Sequence, residues 1–284
     1  MSNVTSIDIP FPETEALHLR FAVGACRLLV KPGAGQGWVA GTYDDPSNAI
    51  PLRIVQNGDP GTTRITQAVS WPDVWARPQY PPTFDLTMGK SRPYALTLDM
   101  GAGEATVDLG GLPLTQLGVN FGAGRQTIDF SAPNPQPMER LRVTAGAASL
   151  ELMRLGNANV AEVSVEGGAA ACVFDFGGQL RRDVAFKLTA GMSSVEIRIP
   201  AGTAAKVTTE TVLGSLDMAD GFMKKEGAFW NEAALRSATP TLTIVASVVM
   251  GSIRVVTTTE TSSAGSQPTM AVQATPSETV VDLP

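Results

Sequence analysis

"LDMGAGEATVDL", residues 98–109, holds a Gly-Ala-Gly turn between two apolar runs. Backbone N–H groups in such a turn can cradle an anion. A phosphate loop, however, wants Gly-Lys-Ser/Thr and a helix directly after it. Here Glu104 follows the second glycine, and then alternation of period two: Ala105, Val107 and Leu109 on one side, Thr106 and Asp108 on the other. Before the turn Leu96, Leu98 and Met100 alternate in the opposite phase. Alternation means strands with one buried face. A phase slip at the glycine means that residues leave the pleat there, as in a corner or bulge.

The same device recurs. It surrounds Gly24 in "RFAVGACRLLV", Gly122 in "VNFGAGRQTIDF", Gly146 in "RVTAGAASLEL", Gly168 in "SVEGGAAACVFDF", Gly191 in "KLTAGMSSVEIRI", Gly214 in "TETVLGSLDM" and Gly251 in "SVVMGSIRVV". From Gly101 onward the spacings are 21, 24, 22, 23, 23 and then 37. A catalytic phosphate loop would occur once; a unit of roughly 22 residues that repeats is architecture. Each unit reads as strand, glycine corner, strand and a Gly/Pro/Asn-rich return such as "GGLP" (110–113) or "SAPNPQP" (131–137). One unit cannot bury its apolar face alone, and stacked units can. The expected fold is therefore all-β: a stacked, solenoid-like rack of two-strand rungs with glycine corners, about 35 Å long if seven or eight rungs stack at strand spacing.

The chain divides on this reading into an irregular N-terminal β region (1–90), regular rungs (91–256) with an insertion at 219–240, and a Thr/Ser/Pro-rich tail (257–284) expected to be disordered. "PLRIVQNGDPGTTRITQAV" (51–69) reads as a hairpin. "SWPDVWARPQYPPTFDL" (70–86) is rich in proline and aromatics. Its Trp71, Trp75 and Tyr80 suit a cap on one end of the rack, where a strand edge would otherwise be open. The competing reading is a binding platform. The insertion "ADGFMKKEGAFWNEAALRSATP" is the candidate contact loop, through Phe222, Lys224, Lys225, Phe229 and Trp230, since loops on rigid scaffolds often carry function. Its plainer reading is a hairpin whose aromatics fold back on the rack.

Composition narrows the function. The 284 residues carry net charge −6, with no Lys/Arg run longer than two. Nucleic acid, which wants a concentrated basic face, is not an expected partner. No signal peptide or membrane segment is read, so the expected location is cytoplasmic, without membrane insertion. Cys26 and Cys172 lack any paired spacing and read as buried free thiols. His18, the single histidine, sits at an outward strand position. One histidine and two distant cysteines offer no zinc set. Asp108, Asp129 and Asp175 share one offset from their glycines, but Met153 and Arg198 interrupt the column, which argues for a solvated face over a Ca²⁺ ladder. Glu104 and Arg125 share another offset and are expected to pair between rungs. A carbohydrate-active enzyme needs paired carboxylates in a cleft with sugar platforms, and nothing marks one.

The glycine corners, the block "HLRFAVGACRLLVKPGAG" and the stretch "LGSLDMADGFMKKEGAFWNEAALRSATPTLTIVASVVMGSIRVV" together resemble the toast-rack family, seen in the C-terminal part of bacterial LiaF-like proteins of the cell-wall-active antibiotic response, over about residues 14–256. The resemblance implies an all-β stacked rack without known catalytic residues. LiaF-like proteins place membrane helices ahead of this domain and act beside a sensor kinase; this sequence shows no such helices. The resulting expectation is no enzyme and no cofactor. The chain is expected to be a scaffold or protein-interaction module whose partner is another protein or itself. The alternatives are a regulator in a cell-envelope stress or two-component pathway, and a self-assembling structural protein.

Overall fold

A computed structural model describes residues 3–33, 35–47, 50–56, 61–67, 81–236 and 241–259. The strands in chain order are β1 (Asn3–Ile9), β2 (His18–Pro32), β3 (Val39–Asp45), β4 (Leu52–Val55), β5 (Thr62–Gln67), β6 (Thr83–Met88), β7 (Tyr94–Asp108), β8 (Leu114–Asp129), β9 (Met138–Met153), β10 (Val160–Asp175), β11 (Val184–Pro200), β12 (Ala205–Met218), β13 (Phe222–Lys225), β14 (Ala228–Asn231) and β15 (Leu242–Thr258). One short helix, α1 (Glu232–Arg236), follows β14, and a 3-10 turn (Leu155–Ala158) precedes β10. All the strands join one 15-stranded sheet.

The predicted rack is present. Eight long strands run parallel, in the order β2-β7-β8-β9-β10-β11-β15-β12. Both arms of each rung run on as one strand bent at the corner. Along β7, Tyr94, Leu96, Leu98 and Met100 are buried, and after the corner so are Ala105 and Val107. An unbroken pleat would send Ala105 and Val107 to solvent; the slip turns both arms toward a single core. The returns close that core with Leu109, Leu112, Phe130, Leu155 and Phe176, all nearly inaccessible. Phe186 packs between Phe174 and Phe176, with ring centroids 5.0 and 5.3 Å away.

Two glycine columns make the corner, for different reasons. In the first, a Cβ on Gly122 would stand 2.2 Å from the Gly101 carbonyl oxygen, and one on Gly146 would stand 2.3 Å from that of Gly122. Backbones of successive rungs approach too closely there for any side chain. The second column, two residues later, holds the positive φ: +124° at Gly103, +119° at Gly124 and +140° at Gly251.

The order of the rungs departs from that of the chain: β15, the last strand, inserts between β11 and β12. Two expectations are corrected. Gly214 and Gly251 are not equivalents of Gly191. Gly251 stands opposite Ser193 and Gly214 opposite Gly251, so both belong to the second column, and Val249 and Val212 lie level with Gly191. A two-residue displacement preserves a period-two phase, so alternation is blind to it. Finally, Glu104 stands opposite Arg125 in register but makes its ion pair with Arg27 on the other side, at 3.3 Å.

The hairpin expected around 51–69 is the antiparallel pair β4·β5. The sheet continues without interruption across residue 90, because β2 pairs with β7. The rack's last strand reaches Thr258, two residues into the segment assigned to the tail; the rest of the tail, from 260, lies outside the described residues, as do Trp71, Trp75 and Tyr80.

Candidate functional site

The insertion builds a small subdomain on the last rung. β13 and β14 form a hairpin whose turn is made by Glu226 and Gly227, both at positive φ. β14 pairs antiparallel with the start of β12, Trp230 opposite Lys206 and Phe229 opposite Val207. Asn231 fastens it: its side-chain oxygen accepts from the N–H groups of Ala205 and Ala234, both at 3.0 Å, and its amide donates to the Thr203 carbonyl at 2.7 Å. Phe222 and Phe229 pack against the core as partly buried side chains. Lys206 lies over the Trp230 ring at 5.1 Å and Lys224 over Phe229 at 5.8 Å. Met223, 56% exposed, and the exposed Lys224 and Lys225 face solvent. The structure thus brings all five predicted contact residues together but splits their roles. The phenylalanines anchor, Trp230 is half-buried beneath a lysine, and Lys224, Lys225 and the neighbouring Met223 are presented.

His18 occupies a second location, on the first arm of β2. It borders a shallow groove of about 610 Å³ that also involves Thr97, Gln116, Arg140 and Arg142. Its Nε2 lies 2.8 Å from the Thr97 hydroxyl. Burial lowers its pKa below the ordinary 6.5, helped by the charges of Arg20 and Arg64 and opposed by Asp99. A histidine that activates a hydroxyl is normally oriented by a third group. The nearby carboxylate, Asp99, is instead engaged by Arg20 at 2.6 Å and by the Asn120 amide at 2.6 Å. Arg140 is drawn to Glu162 at 3.4 Å.

The aspartate column serves the returns. Asp108 accepts from the Gly110 N–H at 2.9 Å and from the Ser131 hydroxyl at 2.7 Å. Asp175 accepts from the Gly177 N–H at 2.9 Å. Asp129 takes the Arg154 guanidinium, while burial pushes its carboxyl above the ordinary value against that pairing. Among the described residues no group of three His, Cys, Asp or Glu side chains converges as a metal site. Burial raises the Cys26 thiol to about 12 and the Cys172 thiol to about 11. Both are free and buried.

Sequence reading missed the asparagines. Asn134 donates to the carbonyls of Leu114 and Ala158, and Asn157 donates to that of Phe130 while accepting from the Gln179 N–H. They stitch successive returns together. Their signal was their place in Gly/Pro-rich returns, which reads as turn chemistry and hides a cross-rung role.

These features define a toast-rack domain. Residues 1–152 match the family model described as the N-terminal domain of toast_rack, DUF2154, and the chain belongs to that family. No curated protein matches it. Among solved structures it is similar to a candidate cell adhesion protein from Clostridium sporogenes, with TM-score 0.48 and 15% identity over 91% of this chain and 99% of that one. It is also similar to a candidate adhesin from Bacteroides fragilis, with TM-score 0.35 and 10% identity over 90% and 97% of the two chains. At such identities and TM-scores neither structure informs the function of this chain. Among the described residues no helix is long and apolar enough to cross a membrane.

Proposed function

We propose that the chain is a non-enzymatic protein-interaction module, a stiff rack that presents the β13–β14 hairpin to a protein partner. The observation that carries this reading is the split within the insertion. Its aromatics and Asn231 fix it to β12, while Met223, Lys224 and Lys225 are exposed at the surface, Lys224 resting on the Phe229 ring. A hairpin serving only to pack has no need of an exposed methionine beside two lysines; a contact surface of this kind suits an acidic partner with an apolar spot. Elsewhere the charges tie rungs together: Arg20 engages Asp99, Arg27 engages Glu104 and Arg140 engages Glu162, while His18 meets the Thr97 hydroxyl.

The test is affinity capture from the native host with the full chain and with Lys224→Glu/Lys225→Glu. Capture of a defined protein by the wild type and its loss in the double variant is the expected result. Equal capture by both, or a catalytic turnover abolished by changing His18, would overturn the reading.

A further inference from the structure

β14 covers the outer edge of β12 only at Lys206 and Val207. From Thr208 to Met218 nothing among the described residues pairs with that edge. Apolar side chains flank it. Of the eleven exposed large hydrophobic residues among those described, six gather here: Met192, Val212, Leu213, Leu216, Val249 and Met250. Register places Met192, Met250 and Leu213 in one row, at 61%, 46% and 62% exposure. Edge strands are normally blunted by lysine, proline or a covering element. Residues 208–218, "TTETVLGSLDM", contain neither lysine nor proline.

We propose that this edge docks a second copy of the chain, β12 against its two-fold mate in antiparallel pairing around Val212 and Leu213. The proposal goes beyond the hairpin reading, because it uses a different surface at the same end of the rack. Charge decides between the ways a second copy can sit. The whole chain carries −6, so two copies repel at long range. The edge itself bears only Glu210 and Asp217, and Arg254 holds Asp217 at 3.3 Å. Pairing Val212 with Leu213 of the mate sets Glu210 against Ser215 and Asp217 against Thr208, so no like charges meet. Of the outer strands at the opposite end, β4 lies on the first arm and β1 on the second; β1 runs parallel to β12, so head-to-tail stacking through the second arm is geometrically open. Yet β1 offers one exposed large apolar residue, Val4, with the exposed Asp8 on the same strand. An apolar patch of this size is matched by its own copy and not by that strand, and the isologous contact closes a dimer. Edge pairing buries Val212, Leu213 and Leu216 with the backbone of 208–218, while Val249 and Met250 lie one strand inward and Met192 two; the contact is smaller than the roughly 800 Å² per partner of a standard interface, so reversible association at micromolar concentration is expected.

The experiment is mass measurement by sedimentation across concentration, with amide exchange over 208–218, on the full-length wild type, Leu213→Lys and Val212→Lys. The expected result is a species of twice 29.7 kDa at micromolar concentration, with protection of 208–218 that rises as the dimer forms. Either lysine is expected to weaken association at least tenfold while leaving in place the unfolding midpoint measured at concentrations too low for dimer; two variants guard against one failing to fold. A monomer at every concentration overturns the proposal, whether 208–218 exchanges freely or is covered by its own chain. A mass that climbs past the dimer overturns it in favour of head-to-tail stacking. A monomer that still captures a protein through Lys224 and Lys225 sinks the dimer alone and leaves the interaction module standing.

Discussion

The two ends of the rack are finished differently. At the N-terminal end both arms of β2 are covered. β5 and then β4 lie outside its first arm, and β6, β3 and β1 lie outside its second. That cap has its own core: Trp38 is fully buried, stacked on Phe11 at 5.5 Å and edge-on to Tyr94 at 5.6 Å. At the C-terminal end the hairpin pairs with two residues of β12, and the second arm is left open among the described residues. A parallel rack has an edge problem at each end. One end solves it with five strands and a buried tryptophan; the other solves half of it and leaves an apolar row in solvent. What separates the ends is thus how much structure lies beyond the last rung, and the thinner end is where association is to be sought.

Four substitutions test that contrast, beginning with the largest effect. Trp38→Ala is expected to cost about 3–5 kcal/mol in denaturant unfolding, as for large aromatics removed from a core. Trp230→Ala, at a partly buried position in the other cap, is expected to cost about 1 kcal/mol, the scale of its cation–π contact with packing included. Equal losses would mean the ends are alike in strength. The next contrast compares an interior corner with an edge corner. Gly124→Ala places a Cβ 1.9 Å from the Gly103 carbonyl oxygen at φ +119°, and is expected to destabilise by about 3 kcal/mol. Gly214→Ala meets the Gly251 oxygen at 2.1 Å, but β12 has neighbours on one side of this arm and can shift outward. About half the interior loss is expected, because relaxation sets the cost.

Asn231→Ala leaves two buried N–H groups and a carbonyl without their partner, a loss of about 2 kcal/mol. Faster amide exchange should follow over 222–236 while the N-terminal cap is unchanged; uniform acceleration would show that the hairpin is not an independent attachment. The smallest effect is at His18. Its folded pKa lies below the ordinary 6.5, so folding favours the neutral ring. Its contribution is present above the unfolded pKa and is lost as pH falls from about 6.5 through the lower folded value. Thermal midpoints should therefore drop on acidification through that window, and His18→Gln should flatten that part of the profile. An unchanged slope would show that His18 is solvated like a free side chain.

Much of the fold could be read from local pattern, and the failures are equally specific. Alternation around Gly101 and Gly191 gave the buried faces, since pleat phase is set residue by residue. The register offsets of 21, 24, 22 and 23 from β7 to β11 are the spacings between the quoted glycines. The next spacing, from Gly191 to Gly214, looks like another rung and is not one. β12 lies two places from β11, and its true offset through β15 is 21. Of the candidate site, the loop and its residues could be picked out by composition. Which of them anchor and which are presented depended on where the hairpin lands.

By itself the sequence determined the rung. Period-two alternation, a slip at a glycine and a polar return every 22 residues or so leave a strand bent around one core as the solution that buries the apolar face. Only the tertiary structure decided which rung neighbours which. Parallel strands joined by long connections carry no local mark of their partners. Here the 219–241 connection is long enough for β15 to step back over β12. β15, with Leu242, Ile244, Ala246, Val248, Ile253 and Val255 all buried, takes the position paired on both sides, and the more polar β12 is left at the edge. A strand apolar along both arms gains most from two neighbours. The exchange that satisfied the core also created the open edge.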